Sequence, residues 1–513
     1  MSATGERVEF SLTTMTHAAV LWNAGLVTLI NAGQFAVMLV LVRLLSPDVY
    51  GQFGLLMAIV GFVYVFSAQS FVDYSLQIRN EASVNYQDLF TTSVYVNFLL
   101  CLLVNFAALG IDTFPEYANL QLPLHFLSIG FLLQPGRAIR IAMLKRQLNW
   151  KRIRSLHAIG FIFSAIFAIP LAYSGAGIYA LILPTFITPL PFLYDIFVDQ
   201  RWRPSWTWDL KRMSPALKFG LNRQLSGAIT TGRRLLESTV LVQVAGFAAF
   251  GVYGRAIALA EIACTRVLGN AIEALYPSLT KIEPGTARFR KIGAVVLSIS
   301  AWLSIPIAVL MGELATTIVT AIYGEQWLEV IPLVGWATAS AAAGAIHMTL
   351  YKLLLAHQQQ RHCIWSDVIL IAGTATSLYF LLPFGLIGYI QGLFVTQLVL
   401  IAVSAFFLVS ERGIEVAAVR RALFPPILGA LCASSIFVNG TVDTLSNLLG
   451  YFSIVLWTAF YITVYLITMR LLFTHSLREI ISYMPKHTFL RKLLFLGSTS
   501  YANDLSRTSR LDH

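Results

Sequence analysis

Residues 40–54 read VLVRLLSPDVYGQFG, and residues 240–254 read VLVQVAGFAAFGVYG. Aligned without gaps at an offset of 200 residues, they pair Val40, Leu41 and Val42 with Val240, Leu241 and Val242, and Gly51 and Gly54 with Gly251 and Gly254. Tyr50 aligns with Phe250 and Phe53 with Tyr253, so ring character is kept where identity is not. Each block closes one apolar run and opens the next at matching places in the chain, the signature of an internal duplication. The pattern predicts two six-helix lobes related by a pseudo-twofold axis along the membrane normal, with substrate held near the midplane between them.

Outward from these blocks, apolar runs of about 20 residues recur along the chain, each long enough to span a hydrocarbon core of roughly 30 Å. The 513 residues are 57% hydrophobic and only 12% charged, and their mean hydropathy is +0.71. Strictly alternating segments of about ten residues, which a β-barrel requires, are missing. The expected fold is an all-α polytopic membrane protein of about fourteen transmembrane helices: two pseudo-symmetric six-helix lobes around a central cavity, plus two extra C-terminal helices. The spans fall near 17–44, 50–76, 88–110, 119–144, 154–174, 177–198, 215–244 and 248–275, then near 290–322, 328–355, 364–383, 386–410, 420–439 and 449–472. The domain layout follows: 1–16 an N-terminal segment, 17–200 the N-lobe, 201–412 the C-lobe, 413–474 spans thirteen and fourteen, and 475–513 a basic amphipathic and then disordered tail.

Basic residues set the expected orientation. Lys145, Arg146, Lys151, Arg152 and Arg154 follow the fourth span, Arg201, Arg203, Lys211 and Arg212 the sixth, and Lys281, Arg288, Arg290 and Lys291 the eighth, whereas alternate loops carry Asp112, Glu116, Glu325 and Asp443. The positive-inside rule then places both termini in the cytoplasm. The polar start, with Glu6, Arg7 and Glu9, precedes an apolar run too long for a signal-peptide core, so that run is expected to stay as the first span. The formal charge of +11 is accounted for by loops facing an anionic leaflet, without nucleic acid. The tail, with Arg478, Lys486, Arg491 and Lys492 among apolar residues, reads as an interfacial helix. Cys101, Cys264, Cys363 and Cys432 lie in apolar helical stretches without metal-ligand or redox spacing, and are expected to be buried thiols; no metal or cofactor is expected.

Against this apolar background the intramembrane charges stand out. An ionised side chain at the bilayer centre costs roughly 2.5 to 3.5 kcal/mol on insertion scales, so a chain that keeps several has a use for them. Arg223, Ser226, Thr230, Arg233 or Arg234, and Glu237 recur at three- and four-residue intervals on the seventh span, and Arg255, Arg266, Asn270 and Glu273 share a face of the eighth. The first span carries Gly33 and Gln34 where the seventh has Arg233 and Arg234, and a neutral stripe of Asn23, Asn31 and Gln34. Guanidinium groups grip phosphate oxygens in a planar fork and stay charged when desolvated, so the stripe suits an anionic, phosphorylated ligand. Glu237 lies within ion-pair reach of Arg233 and Arg234, which leaves open an intrahelical bridge that neutralises them. Arg137, Arg140 and Lys352, toward cytoplasmic ends, serve either as topogenic anchors or in gathering substrate. Asp73, Glu237, Glu261 and Glu273 are the acids available for ion coupling, Asp73 alternatively capping a helix near Arg79.

The stretches VRLLSPDVYGQFGLL (42–56), GRAIRIAMLKRQLNWKRI (136–153), FGVYGRAIALAEI (250–262) and IYGEQWLEVIPLV (322–334), in this order, resemble the polysaccharide or oligosaccharide (Wzx-type) flippases of the multidrug/oligosaccharidyl-lipid/polysaccharide exporter superfamily, from about residue 15 to 475. The resemblance implies a bacterial inner-membrane protein that turns over undecaprenyl-diphosphate-linked sugar repeat units by alternating access. The products it implies are exopolysaccharide, capsule or lipopolysaccharide O-antigen, with a polysaccharide polymerase and a chain-length regulator as partners beside the lipid bilayer. An ion-coupled drug antiporter of the same superfamily is the alternative, although a cationic drug favours an acidic cleft. An enzyme is not expected: no nucleotide-binding loop, metal cluster or nucleophile triad is present, and the longest external connections, around 111–118 and 440–448, are short.

Overall fold

A computed structural model describes residues 28–67, 69–78, 84–199, 202–207, 210–265, 269, 279–435 and 452–474. Helix is the regular structure throughout, with no strand among the described residues. Ten of the described helices are long and apolar enough to cross a membrane, and the protein is a multi-pass, all-α membrane protein. Two of the ten, Gly227–Thr265 and Gln360–Ser410, each take in parts of two predicted spans, and the first predicted span is represented by the shorter apolar helix Thr28–Leu44. The N-terminal segment, the external connection around 440–448 and the amphipathic tail lie outside the described residues.

The chain forms two compact units, Met1–Gly254 and Arg255–His513. The first contains α1 (Thr28–Leu44), α2 (Pro47–Val65), α3 (Tyr86–Leu109), α4 (Gln134–Arg146), α5 (Trp150–Tyr173), α6 (Tyr179–Val198) and most of α7 (Leu210–Ala260). Local chemistry sets their ends. Pro47 opens α2, where its missing N–H costs nothing. The Asn85 side chain caps α3 by accepting from the N–H groups of Gln87 and Asp88, and Asn149 caps α5 by accepting from Arg152 N. The fourth predicted span is not one helix: it divides into Gln121–Ile129, a tight 3-10 turn over Gly130–Leu133, and α4. Pro135, in the first turn of α4, accounts for the break because its ring disfavours helix in the residues before it. In α6, Pro189 and Pro191 likewise separate Tyr179–Ile187 from Leu190–Val198.

α2 runs antiparallel along α7. Gly232 and Gly227 of α7 admit Phe62 and Val65 of α2, with the positions a Cβ would take lying 3.4 and 3.0 Å from those side chains. The buried Gln224 amide then donates to Ser67 O at 3.1 Å. These two glycines therefore serve close helix packing, and α7 breaks elsewhere, at Gly246 (φ 85°, ψ 170°). Such a conformation is open in practice to glycine alone.

Beyond the break, the repeated glycines meet. A Cβ on Gly51 would lie 1.8 Å from Phe247 O, and one on Gly251 would lie 1.9 Å from Pro47 O. Each glycine thus packs against the residue four places before its repeat partner, so the contact is locally twofold.

The second unit holds α8 (Ala287–Glu313), α9 (Ile331–Ala356), α10 (Gln360–Thr376), α11 (Gly385–Ser410), α12 (Val416–Ser434) and α13 (Phe452–Leu472). α9 packs on α8 and α11, and α12 on α8 and α13. Small residues set these approaches, as at Gly392 against Ser377 and Gly429 against Tyr465, in keeping with packing in a bilayer where apolar burial alone gives little drive. Tyr465 spans the α13–α8 contact, donating to Trp302 O at 3.1 Å. The predicted 290–322 span ends early, at Glu313, and resumes as Ala315–Ile322. Cys101, Cys264 and Cys363 are buried as expected; Cys432 instead is exposed, because its position falls on the outward face of α12.

One turn recurs in both units. After α4, Leu148 takes a left-handed φ of 54°, Leu148 N donates to Lys145 O and Asn149 N to Leu144 O; after α9, Gln358 (φ 63°), Leu355, Gln359 and Leu354 repeat the pattern 210 positions on. The bonds are 3.0 and 2.9 Å in each. This is the double hydrogen bond that satisfies the last carbonyls of a helix.

The glycine contact gives a direct test. Gly51→Ala and Gly251→Ala should each destabilise the protein by about 1–3 kcal/mol through overpacking against a carbonyl, read as a lowered melting temperature in detergent. Gly254→Ala, where nothing lies within 4 Å, should leave it unchanged.

Candidate functional site

The predicted arginine stripe resolves into unlike members. Arg233 and Glu237 lie one turn apart on α7 and pair at 3.0 Å, with side chains only 19% and 12% exposed. An arginine placed N-terminal to its glutamate is the weaker order for such a pair. A second contact holds it: Tyr253 Oη donates to the other carboxylate oxygen, Glu237 Oε1, at 2.6 Å. That bond reaches across the break at Gly246, joining the two parts of α7.

Tyr253 is itself placed by the repeat. Gly54 leaves room for Phe250, whose Cε1 lies 2.9 Å from where a Cβ would stand. Phe250 stacks on Tyr253 with ring centroids 6.2 Å apart and planes 23° apart. A chain of contacts therefore runs from Gly54 through Phe250, Tyr253 and Glu237 to Arg233.

Arg234 stands outside this chain. Its side chain is exposed, and it makes no ion pair among the described residues. Adjacent helical residues point about 100° apart, so neutralising Arg233 leaves Arg234 directed elsewhere. The two neighbouring arginines thus differ in their surroundings: Arg233 is paired to Glu237, and Arg234 is exposed.

The remaining candidates each have surroundings of their own. Arg255 is half-buried, and its backbone carbonyl accepts from Tyr323 Oη at 3.2 Å within the second unit. Glu261 is exposed at the start of a π-turn, Glu261–Thr265, and Thr265 Oγ1 donates to its carbonyl. The Arg223 side chain, and Arg266, Asn270 and Glu273 altogether, lie outside the described residues. Asp73 accepts from Gln69 Nε2 at 3.2 Å, while Arg79, its predicted neighbour, is also outside the described residues. Arg137 donates to Gln134 Oε1 at 3.3 Å, and Lys352 is half-buried on α9.

Arg140 belongs to a network that the sequence reading did not assemble. It is buried, and it bonds Asp195 at 2.7 Å and Asp199 at 2.8 Å, both on or just after α6. Asp195, 1% exposed, also pairs with Arg152 of α5. Two guanidiniums and two carboxylates thus tie α4, α5 and the end of α6 together. The partners are more than 40 residues apart in sequence, so helix periodicity carried no sign of the pairing. Tyr253 was more legible: it is a tyrosine where the other repeat has Phe53, and its added hydroxyl is the part that binds Glu237.

A family model described as "Polysaccharide biosynthesis protein" matches residues 40–332, more than half of the chain. The chain is 23% identical over 334 residues to the succinoglycan biosynthesis transport protein ExoT of Rhizobium meliloti, covering 63% of this chain and 66% of that protein, just under two thirds. It is 19% identical over 247 residues to the teichuronic acid biosynthesis protein TuaB of Bacillus subtilis, covering 48% and 51%. Among solved structures it is similar to the lipid II flippase MurJ in an inward closed conformation, with TM-score 0.63 and 15% identity over 88% of this chain and all of that one. An inward-facing MATE transporter of the MOP superfamily follows, with TM-score 0.56 and 13% identity over 75% and 95%. At these identities the structural matches establish the fold.

The buried network gives the prediction for this region. Asp195→Asn should lower unfolding stability by about 3 kcal/mol, because it leaves two guanidiniums short of a buried counter-charge. Asp199→Asn, at 23% exposure, should cost clearly less in the same thermal melt.

Proposed function

Because the chain belongs to the polysaccharide biosynthesis protein family, we propose that it is the flippase that carries undecaprenyl-diphosphate-linked oligosaccharide repeat units across the bacterial inner membrane by alternating access. The observation that carries this reading is Arg234: an exposed guanidinium on an apolar, membrane-spanning helix, beside an arginine already neutralised by Glu237. A cation kept at such cost needs an anion, and a diphosphate offers several oxygens to its fork. The prenyl chain of such a ligand stays in lipid while its charged head enters water-filled space. A cationic drug would be repelled by the same group, which sets the antiporter alternative aside.

Glu237 fits a coupling role in this scheme. Protonation of its carboxylate would release Arg233, and the second guanidinium would then be available to the phosphate. The two lobes predicted from the repeat, with both termini in the cytoplasm, supply the frame for alternation. A polymerase and a chain-length regulator would take the product on the outer side.

Two measurements test this. In a flippase-null strain at equal protein level, Arg234→Ala should lower surface polysaccharide about 10- to 100-fold, the loss expected of a charge-assisted hydrogen bond. Arg233→Ala should act less strongly, and full activity of Arg234→Ala would remove the assignment. Cysteines placed at Ala118 and Lys151 should label from opposite faces of the membrane; labelling from one face would overturn the orientation.

A further inference from the structure

A cavity of about 320 Å³ lies in the first unit between α1, α5 and α6. Asn31 and Gln34 line it from α1, one turn apart, and Arg154, His157 and Phe161 line it from α5 at matching helical spacing. Gly33 is what lets the Phe161 ring close against α1, since a Cβ there would stand 2.9 Å from Phe161 Cε1.

The polar groups of this wall are unequally satisfied. At its floor, Ser164 Oγ donates to Gly160 O and Thr188 Oγ1 to Pro184 O, each at 2.7 Å, and the two hydroxyls lie 3.2 Å apart. The Asn31 and Gln34 amides and the His157 imidazole make no hydrogen bond among the described residues. His157 only packs its ring edge-on to Phe192, at 4.9 Å. Asn31 and Gln34 are exposed and His157 is half-buried, so the three side chains turn unused hydrogen-bonding capacity toward an open pocket, where a polar ligand can take it up.

The chemistry of the lining narrows the occupant. Two amides offer donors and acceptors together, the imidazole offers either according to tautomer, and Phe161 offers an apolar ring face. No carboxylate lines the cavity, which disfavours a cation, and the single guanidinium, Arg154, lies at the end of α5 near its N-terminus. Paired amides beside an aromatic face suit a ligand that bears many hydroxyls on one side and C–H groups on the other. That is a pyranose ring. The volume is in the range of small-ligand sites, roughly 300–1,000 Å³.

We propose that this cavity is a saccharide subsite, in which Asn31, Gln34 and His157 bond the hydroxyls of one sugar of the transported oligosaccharide while its ring packs on Phe161. The proposal rests on the lipid-linked oligosaccharide reading above and adds a second recognition point, separate from the arginine that takes the phosphates.

The test uses the full chain purified in detergent, titrated by calorimetry with two probes. One is the repeat-unit oligosaccharide released by mild acid from the lipid-linked precursor of the producing strain; the other is inorganic diphosphate. Asn31→Leu and Gln34→Leu should each weaken oligosaccharide binding about tenfold and leave diphosphate binding unchanged. Ala165→Phe, which fills the cavity from an apolar position and removes no polar group, should do the same. Arg234→Ala should show the converse pattern. If the three cavity variants bind the oligosaccharide as the parent protein does, or if the parent shows no saturable binding of it, the subsite is refuted. If they lose the sugar while Arg234→Ala keeps diphosphate, the subsite stands and the phosphate assignment falls.

Discussion

Two glycines resting on two carbonyls hold the repeat blocks together, and the polar site depends on that contact. With Gly51 against Phe247 O and Gly251 against Pro47 O, the start of α2 and the segment after the break in α7 come as close as backbones can. Only at that distance does Phe250 reach the space beside Gly54, and only then does Tyr253, stacked on it, present its hydroxyl to Glu237. A side chain at either glycine would push these rings away. The bond from Tyr253 to Glu237 thus follows from a packing constraint set elsewhere in the unit.

The arginines of the first unit differ in their partners. Arg233 is neutralised by a carboxylate that is itself held from two sides, and Arg140 is enclosed by Asp195 and Asp199. Each is thus already bonded to a carboxylate in this structure. Arg234, one residue from Arg233, escapes because a helix turns adjacent side chains apart. A buried ion pair contributes little net stability, so the pairs are better understood as holding helices and rings in position than as a source of folding energy.

Much of the fold was legible in the sequence for a simple reason: in a bilayer each helix must satisfy its own backbone, so composition and run length alone nearly determine it. The breaks were less so. The fourth predicted span is interrupted at Gly130–Leu133 before Pro135, a local effect that averaged hydropathy hides, whereas the division of α7 at Gly246 fell where the repeat put it. At the site, the Arg233–Glu237 pair was readable from its spacing, and which of the two arginines it would take was not. Asp195 and Asp199 were invisible because their partners lie on other helices. Asn31 and Gln34 read in the sequence as a neutral stripe; that they share a pocket with His157 and Phe161 depends on the packing of α5, which no spacing in α1 predicts.

On the proposed reading, a family fold carries two kinds of recognition chemistry, a guanidinium for phosphate and amides beside an aromatic ring for sugar. The proposed transport is movement of a diphosphate-linked lipid from one leaflet to the other. It is tested most directly with purified protein in liposomes carrying a fluorescent short-chain prenyl-diphosphate oligosaccharide, by following how much of the label becomes accessible to a membrane-impermeant quencher. Accessibility that rises with the amount of active protein, and that does not rise with Arg234→Ala, is the predicted result. Equal accessibility in liposomes with and without protein would contradict it.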